Sequence, residues 1–378
     1  MEQTDTDNTK TNKLDAIDAV RAFAIMLIFF THAAGQSGLP LSMGTFIFRS
    51  AAWAGVWIFF IVSGYLIGGG FRDRRYKNTL DYLKKRFVRV AVPYYVFMFT
   101  VLLLLYPEFI INEPIAVLRI ITFTYNGAVG EVAFTAMWFV STLMQFYIMS
   151  LFFQLLVKKI EKKKYACEIL FLFVFAAGFI LRWWLYDIDY GFTRIYTSSW
   201  TNMDVFFCGF LFSWIMKNRS TVKRSSGYKQ TALAVTSVAV LLSLAVFFAY
   251  CVAAGRFIDP MYLLFYRAYG PTLIILAICL YIYSLDNSVK KNNERLSLSA
   301  VRRNPLRLIE CFAVISLGFY FWHSIIIFNV ASTLDLSPDI PGHLILLTVS
   351  AVLAILMATI FYYSVEKWSA RLLKRLGN

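Results

Sequence analysis

The chain is dominated by long apolar stretches, and their length restricts its fold more than any other feature. Roughly 20 apolar residues are needed to cross the hydrocarbon core of a bilayer. Stretches near this length fall at 15–35, 51–70, 88–106, 137–157, 166–186, 200–216, 231–252, 261–284, 308–330 and 343–365. Backbone polar groups in lipid must be satisfied within the chain, and the sequence lacks the short alternating strands of a membrane barrel. The sequence therefore predicts an all-α integral membrane protein, a bundle of about ten transmembrane helices.

Composition and charge agree with this class and set the orientation. With 59% hydrophobic and 16% charged residues, a chain of 378 residues cannot be an ordinary soluble domain. If the N-terminus is cytoplasmic, 31 of the 37 Lys and Arg residues fall in cytoplasmic segments. Cytoplasmic loops carry this excess in membrane proteins, so both termini are predicted to be cytoplasmic. The net charge of +15 then reflects topology and contact with anionic membrane lipids, and we expect no nucleic-acid partner.

The domain organisation is predicted to be simple. Residues 1–14 form a polar cytoplasmic tail, whose first 13 residues we expect to be disordered, residues 15–366 form one membrane domain, and residues 367–378 form a basic cytoplasmic tail. The Ala-Ala-Gly at 33–35 is a weak match to a signal-peptidase site, and we expect no cleavage there. The five cysteines lie in or beside apolar stretches without metal-ligand spacing, so no metal is predicted.

The first predicted helix carries an arginine and a histidine at opposite ends. Arg21 and His32 are eleven positions apart, which places them on one helical face and about 16 Å apart along the axis. Ionisable groups within a membrane helix are costly and usually functional. His32 has three interpretations: a general base for an acceptor hydroxyl, a transient acyl-histidine, or a neutral imidazole that only joins helices.

Other ionisable residues sort into two levels of the predicted bundle. His323 and Asp204 are predicted to lie near the outer ends of their helices, at the level of His32. Arg86 and Arg89 are predicted to lie at the inner end, three residues apart and hence on one helical face. A cationic inner mouth and an outer acid/base chamber suit a long anionic donor that is held by its phosphates inside and reacts outside. The plainer alternatives are that the arginines extend to the membrane interface or only set the orientation of the chain, and that Asp204 makes structural hydrogen bonds.

Several motifs, in chain order, carry a resemblance to a known family. They are Arg-x10-His at 21–32, GVWIFFIVSGYLIGG at 55–69, YLKKRFVRVAVPYY at 82–95, MWFVSTLMQFYI at 137–148, NMDVFFCGFLFSW at 202–214, SLGFYFWHSIII at 316–327 and SVEKW at 364–368. Together they make the chain similar to the bacterial membrane-bound acyltransferase family 3, whose members O-acylate surface polysaccharides. The chain departs from the family pattern at two places. Thr142, Leu143 and Met144 stand where many members have acidic residues, so any catalytic share of those carboxylates is absent here. Lys367 and Trp368 stand where an Arg-Pro is common, and this departure bears on the substrate subgroup.

The resemblance implies specific roles. It makes the chain an O-acyltransferase of the bacterial cytoplasmic membrane that moves an acyl group, most simply acetyl, from cytoplasmic acyl-CoA to a hydroxyl of a glycan or lipid-linked glycan. His32 would be catalytic with Asp204 orienting a histidine, while Arg21, Arg86 and Arg89 would bind the donor. His323, Trp322 and Tyr320 would either line a binding site for the acceptor sugar or pack within the bundle. The alternative function is a transporter or flippase for a lipid-linked or polar solute.

Overall fold

The computed structural model describes residues 3–38, 43–126, 137–219, 236–237, 260–285 and 307–376. Every element in these ranges is helical, as the sequence predicts. The α-helices, with two π-helical segments π1 and π2, are α1 (Gln3–Gln36), α2 (Met43–Arg72), α3 (Thr79–Arg86), π1 (Phe87–Ala91), α4 (Val92–Leu104), α5 (Pro107–Asn112), α6 (Pro114–Ile121), α7 (Met137–Ile160), α8 (Ala166–Asp187), α9 (Phe192–Thr197), α10 (Met203–Arg219), α11 (Pro260–Leu285), α12 (Arg307–Leu334), α13 (Ile340–Phe361), π2 (Tyr362–Glu366) and α14 (Lys367–Leu376).

The described helices confirm an all-α membrane protein. Seven helical stretches are long and apolar enough to cross a bilayer: Ile17–Gln36, Ala54–Arg72, Thr79–Leu104, Met137–Ile160, Ala166–Asp187, Cys311–Leu334 and Ile340–Leu373. Two shorter apolar helices, Met203–Met216 and Ala268–Ser284, coincide with two more of the predicted spans. The predicted helix at 231–252 lies almost entirely outside the described residues, so the count of ten stays a prediction, as does the cytoplasmic position of the termini.

The N-terminal tail departs from expectation. Residues from Gln3 onward continue α1 as helix, whereas the polar composition predicts disorder. Helix initiation is the costly step and extension adds one hydrogen bond per residue fixed. A polar segment attached to an anchored membrane helix can therefore extend that helix without an apolar face of its own.

Glycines determine how closely the central helices approach. A side chain at Gly64 or Gly68 of α2 would overlap the α10 backbone at Phe206 and Phe210, and one at Gly209 of α10 would overlap the α2 backbone at Ile61. Small residues one turn apart let membrane helices pack backbone to backbone, where Leu-sized side chains would hold them apart. The α2–α10 pair is accordingly among the most extensively packed in the bundle, together with α1–α2.

Two helical stretches contain π-turns. One runs from α3 through π1 into α4, and the other runs from α13 through π2 into α14. The two meet, since α14 contacts π1 and α4 contacts π2. Single π-turns inside α-helices are rare and often lie at functional sites.

Beyond α4, the chain folds back as α5 and α6. Tyr94 and Tyr95 of α4 hold the end of this segment, because they donate hydrogen bonds to the carbonyls of Ile120 (2.9 Å) and Ile121 (2.7 Å).

Candidate active site

The structure brings His32 and His323 together. Their ring centroids are 5.2 Å apart with the planes at 69°. They extend from α1 and α12, which also pack Phe29 against Phe319 with centroids 5.3 Å apart, one helical turn away. His323 is buried, at 1% exposure, and His32 is only partly exposed. Two imidazoles from different helices therefore share one enclosed position, as their predicted common level suggested.

The aromatic neighbours of His323 divide into two groups. Tyr320 shares its face, with centroids 5.5 Å apart, and also packs against Phe139 of α7 at 5.0 Å. Trp322 points elsewhere on α12, against Phe97 of α4, with centroids 5.1 Å apart. Positions three apart lie on one helical side and adjacent positions do not, which explains the division. The geometry gives Tyr320 access to the histidine pair and gives Trp322 a packing position.

Asp204 forms a buried ion pair with Arg182. Its Oδ1 and Oδ2 accept hydrogen bonds from Nη1 (2.6 Å) and Nη2 (2.7 Å) of Arg182, and the two side chains are 4% and 1% exposed. Nη1 of Arg182 also donates to the carbonyl of Thr201 at 2.8 Å. Both carboxylate oxygens of Asp204 are thus engaged by a guanidinium rather than by a histidine. This position favours the structural role for Asp204 that the sequence left open.

A glycine on α8 makes this ion pair possible. A Cβ at Gly178 would overlap the carboxylate of Asp204, and Gly178 lies one turn before Arg182 on the same face. On α8, Gly178 therefore leaves space for the Asp204 carboxylate, and the guanidinium of Arg182 binds that carboxylate. Arg182 is one of the six Lys and Arg residues that the charge count places outside the cytoplasmic segments, and the structure shows it as a buried member of the bundle.

Arg86, the last residue of α3, lies among three tyrosines towards the Arg21 end of α1. Its guanidinium carbon is 5.8, 5.9 and 5.7 Å from the ring centroids of Tyr76, Tyr82 and Tyr147, respectively. Nη2 donates to the Tyr76 hydroxyl at 3.0 Å, and the buried Nε has no hydrogen-bond partner among the described residues. Aromatic faces attract cations, most strongly where water is excluded. The tyrosines thus hold a positive charge at a fixed position inside the bundle.

Arg89 and Arg21 complete a cluster of positive charge around this position. Arg89 is exposed and interacts electrostatically with both Arg86 and Arg21. Arg21 forms an ion pair with Asp18 (3.0 Å) and lies 5.4 Å from the ring centroid of Phe59. The predicted α-helical face shared by Arg86 and Arg89 is altered, because π1 begins between them. One arginine is thereby enclosed while the other is left accessible.

Sequence reasoning missed two sets of residues. The first is Arg182, whose signal was a lone arginine in an apolar stretch with a lone aspartate in the next one. The second is the set of tyrosines around Arg86, of which only Tyr82 is placed by helical spacing, four residues earlier on α3. Tyr76 and Tyr147 come from a loop and from α7, so only the tertiary structure brings them to Arg86.

One carboxyl group, that of Glu366, lies within electrostatic range of Arg21 in this cluster. Glu366 at the end of π2 accepts a hydrogen bond from the backbone N–H of Gly318 (3.0 Å). The carboxylate thus joins π2 to α12, five residues before His323.

In the described part of the chain, no group of three or more His, Cys, Asp or Glu residues is arranged to hold a metal ion.

A known protein family matches most of the chain. The family described as "Acyltransferase domain" (acyltransferase family 3) matches residues 14–363, nearly the whole chain. Neither a comparison with curated proteins nor one with solved structures finds a match. The histidine pair, the cluster of arginines and the membrane-spanning helices all fall within the matched region, apart from the last residues of the final span. The chain therefore belongs to acyltransferase family 3 and is an integral membrane acyltransferase.

Proposed function

We propose that this enzyme moves an acyl group, most simply acetyl, from acyl-CoA to a hydroxyl of a glycan or lipid-linked glycan. The observation that carries the proposal is the separation of two kinds of site on α1. An acid/base pair, His32 with His323, lies at one end, and a cluster of three arginines lies at the other. His32 lies eleven positions after Arg21 on this helix, which corresponds to about 16 Å along the axis. A long donor with charge at one end and a thioester at the other spans such a distance.

The arginine cluster supports a phosphate-bearing donor. Arg86 supplies a charge that its tyrosines hold in place, and Arg89 supplies an exposed planar fork, which matches phosphate oxygens in a bidentate way. Arg21 adds a third charge from α1. Each interaction of this kind contributes about 1.5–3 kcal/mol when it is well formed. Acyl-CoA carries several phosphates and an acyl thioester, so it is the donor class that the proposal names.

The histidine pair supports transfer to a hydroxyl. In the proposed reaction His32 removes the proton from the acceptor hydroxyl as its oxygen attacks the thioester carbonyl. The carbon–oxygen bond forms, the carbon–sulfur bond breaks, and the proton is returned to the departing thiolate to give free CoA. A transient acyl-histidine at His32 would give the same products in two steps. Tyr320, beside His323, is a suitable aromatic surface for the acceptor sugar.

The setting of the reaction belongs to the proposal as well. The Lys/Arg-rich side faces the cytoplasm of a bacterial inner membrane, where acyl-CoA is made, and the histidine end faces the opposite side. The acceptor is then an envelope glycan or its lipid-linked precursor. Family membership favours this reading over a transporter, because a transporter moves a solute without consuming a thioester.

The test uses purified protein in oriented vesicles. Acyl-CoA supplied from the Lys/Arg-rich face should release free CoA on that face and acylate a glycan acceptor offered on the other. His32→Ala and His32→Gln should both lose transfer by roughly 10²–10⁴-fold, because neither replacement is a base. If His32→Gln keeps near-normal activity, His32 is not the base. If solute crosses the membrane while no acceptor releases CoA, the acyl-CoA and glycan assignment fails.

The donor site has its own test with a matched control. Arg86→Lys with Arg89→Lys keeps the charge but loses the planar forks, so we expect the donor Kd to rise about tenfold or more. Arg74→Lys, an exposed arginine in the neighbouring segment, should leave donor affinity unchanged. Equal acyl-CoA affinity in the wild type and the double variant would remove both arginines from the donor site.

A further inference from the structure

The hydrogen bonding of His323 fixes which of its ring nitrogens carries a proton. Nδ1 lies 2.6 Å from the carbonyl oxygen of Tyr320. A carbonyl oxygen only accepts hydrogen bonds, so Nδ1 must be the protonated nitrogen. An imidazolium at 1% exposure, with a second imidazole beside it, would be costly to bury. His323 is therefore neutral, with its proton on Nδ1 and a lone pair on Nε2.

That lone pair is buried and unsatisfied. Nε2 of His323 has no hydrogen-bond partner among the described residues. A buried acceptor without a donor costs free energy, and native structures contain few of them. The site thus holds an acceptor in need of an N–H group, at the position where the proposed reaction needs a histidine to be oriented.

His32 is placed to provide this N–H group. An imidazole nitrogen lies about 1.2 Å from its ring centre, so two rings joined by a nitrogen-to-nitrogen hydrogen bond of about 2.9 Å have centroids about 5.3 Å apart. The observed separation is 5.2 Å. The centroid separation therefore fits such a hydrogen bond with the His32 ring turned so that one of its nitrogens faces Nε2 of His323. Catalytic hydrogen bonds are often poorly aligned without substrate and tighten in the reacting complex.

We propose that His323 is the positioning residue for His32, accepting a hydrogen bond at Nε2 and so leaving the other nitrogen of His32 unprotonated towards the acceptor hydroxyl. The neutral His323 has the place that a carboxylate occupies in a Ser-His-Asp arrangement, where it holds the base in one tautomer. The proposal rests on the proposed function of His32, and it replaces the sugar-lining role for His323. It also accounts for the orientation of His32 without Asp204, whose carboxylate is bound to Arg182.

The tautomer can be tested without any activity. The chain contains three histidines, so protein labelled with ¹⁵N only in histidine gives three sets of ring signals, and His323→Phe and His343→Gln assign them. We expect His323 to show a protonated Nδ1 and an unprotonated Nε2, and His32→Phe to shift the Nε2 signal towards that of a free lone pair. A proton on Nε2 of His323, or no change on removal of His32, would overturn the proposal.

Kinetic variants test the positioning role. His323→Gln places an amide oxygen near the former Nε2 and keeps an acceptor for His32. His323→Asn keeps a donor near the former Nδ1, for the Tyr320 carbonyl, but does not reach His32. We expect Asn and Phe at 323 to lower kcat about 10- to 100-fold with little change in the KM for acyl-CoA, and Gln to restore most of it.

The outcomes separate this inference from the function on which it rests. Equal losses in the Asn and Gln variants, or no loss in either, would show that the acceptor at this position does not matter. If His32→Ala is inactive while His323→Phe is fully active, the positioning role alone fails. If His32→Ala is active, the proposed base fails. His343→Gln, a histidine at the start of α13, is the matched control and should leave kcat unchanged.

Discussion

The ion pair between Arg182 and Asp204 allows a sharp test of whether Asp204 is structural or catalytic. Asp204→Asn keeps the shape of the side chain beside Gly178 but leaves the buried guanidinium without a counter-charge. Removal of one member of a buried ion pair typically costs 3–5 kcal/mol, about the strength of the two short charge-assisted hydrogen bonds seen here. We therefore expect Asp204→Asn to lower the free energy of unfolding by about 4 kcal/mol and the Tm by several degrees.

Replacement of the partner residue Arg182 on α8 should destabilise the protein about as much as Asp204→Asn, and the two losses of stability should partly cancel when both residues are replaced. Arg182→Met leaves a buried carboxylate unpaired, and we expect a loss of about 3–5 kcal/mol. The double variant has no buried charge, since an amide faces an apolar side chain. It should be more stable than either single variant, although the carbonyl of Thr201 loses the donor that Arg182 provided.

The assay is thermal unfolding of purified protein in detergent, followed by acyl transfer per folded molecule. Four proteins form a double-mutant cycle: wild type, both singles and the double. If Asp204 is structural, the double variant recovers both Tm and transfer. Recovery of Tm with transfer still absent would return Asp204 to a catalytic role. Additive losses of stability would refute the ion-pair reasoning itself.

Three further variants test other parts of the structure. Gly178→Ala should unfold at a lower Tm than wild type by an amount close to that of Asp204→Asn, because the added Cβ meets the carboxylate; near-wild-type Tm would contradict the packing of α8 on α10. Trp322→Phe should retain acyl transfer, measured as CoA release, since its ring packs away from the histidine pair, and a large loss of kcat would restore it to the site. Burial alone would raise the pKa of Asp73, but Arg72 and Arg75 hold that pKa below its usual value. The ionised Asp73 carboxylate therefore stabilises the fold above the unfolded-state pKa of about 4, and this stabilisation is lost as the pH falls through the folded-state pKa. Asp73→Asn should flatten the acid limb of a Tm–pH profile, and an unchanged limb would refute this.

The sequence alone determined the class of the protein, and it grouped the ionisable residues at two levels of the predicted bundle. Long apolar stretches leave the helix as the only economical structure in lipid, so the membrane class and most helix positions follow from hydropathy. His32 and Arg21 lie on one helix, and helical geometry fixes their separation before any tertiary contact exists. The same reasoning assigned His323 to the level of His32, and their rings are in contact.

Only the tertiary structure decided which side chains meet. Asp204 looked like a candidate partner for a histidine, but Gly178 allows α8 to place Arg182 against it, and a guanidinium is the better partner for a buried carboxylate. Arg86 and Arg89 looked equivalent by helical spacing until π1 separated them into an enclosed and an exposed charge. Such pairings depend on the rotation and approach of whole helices. Hydropathy gives the depth of a residue in the membrane, whereas packing gives the direction in which it points.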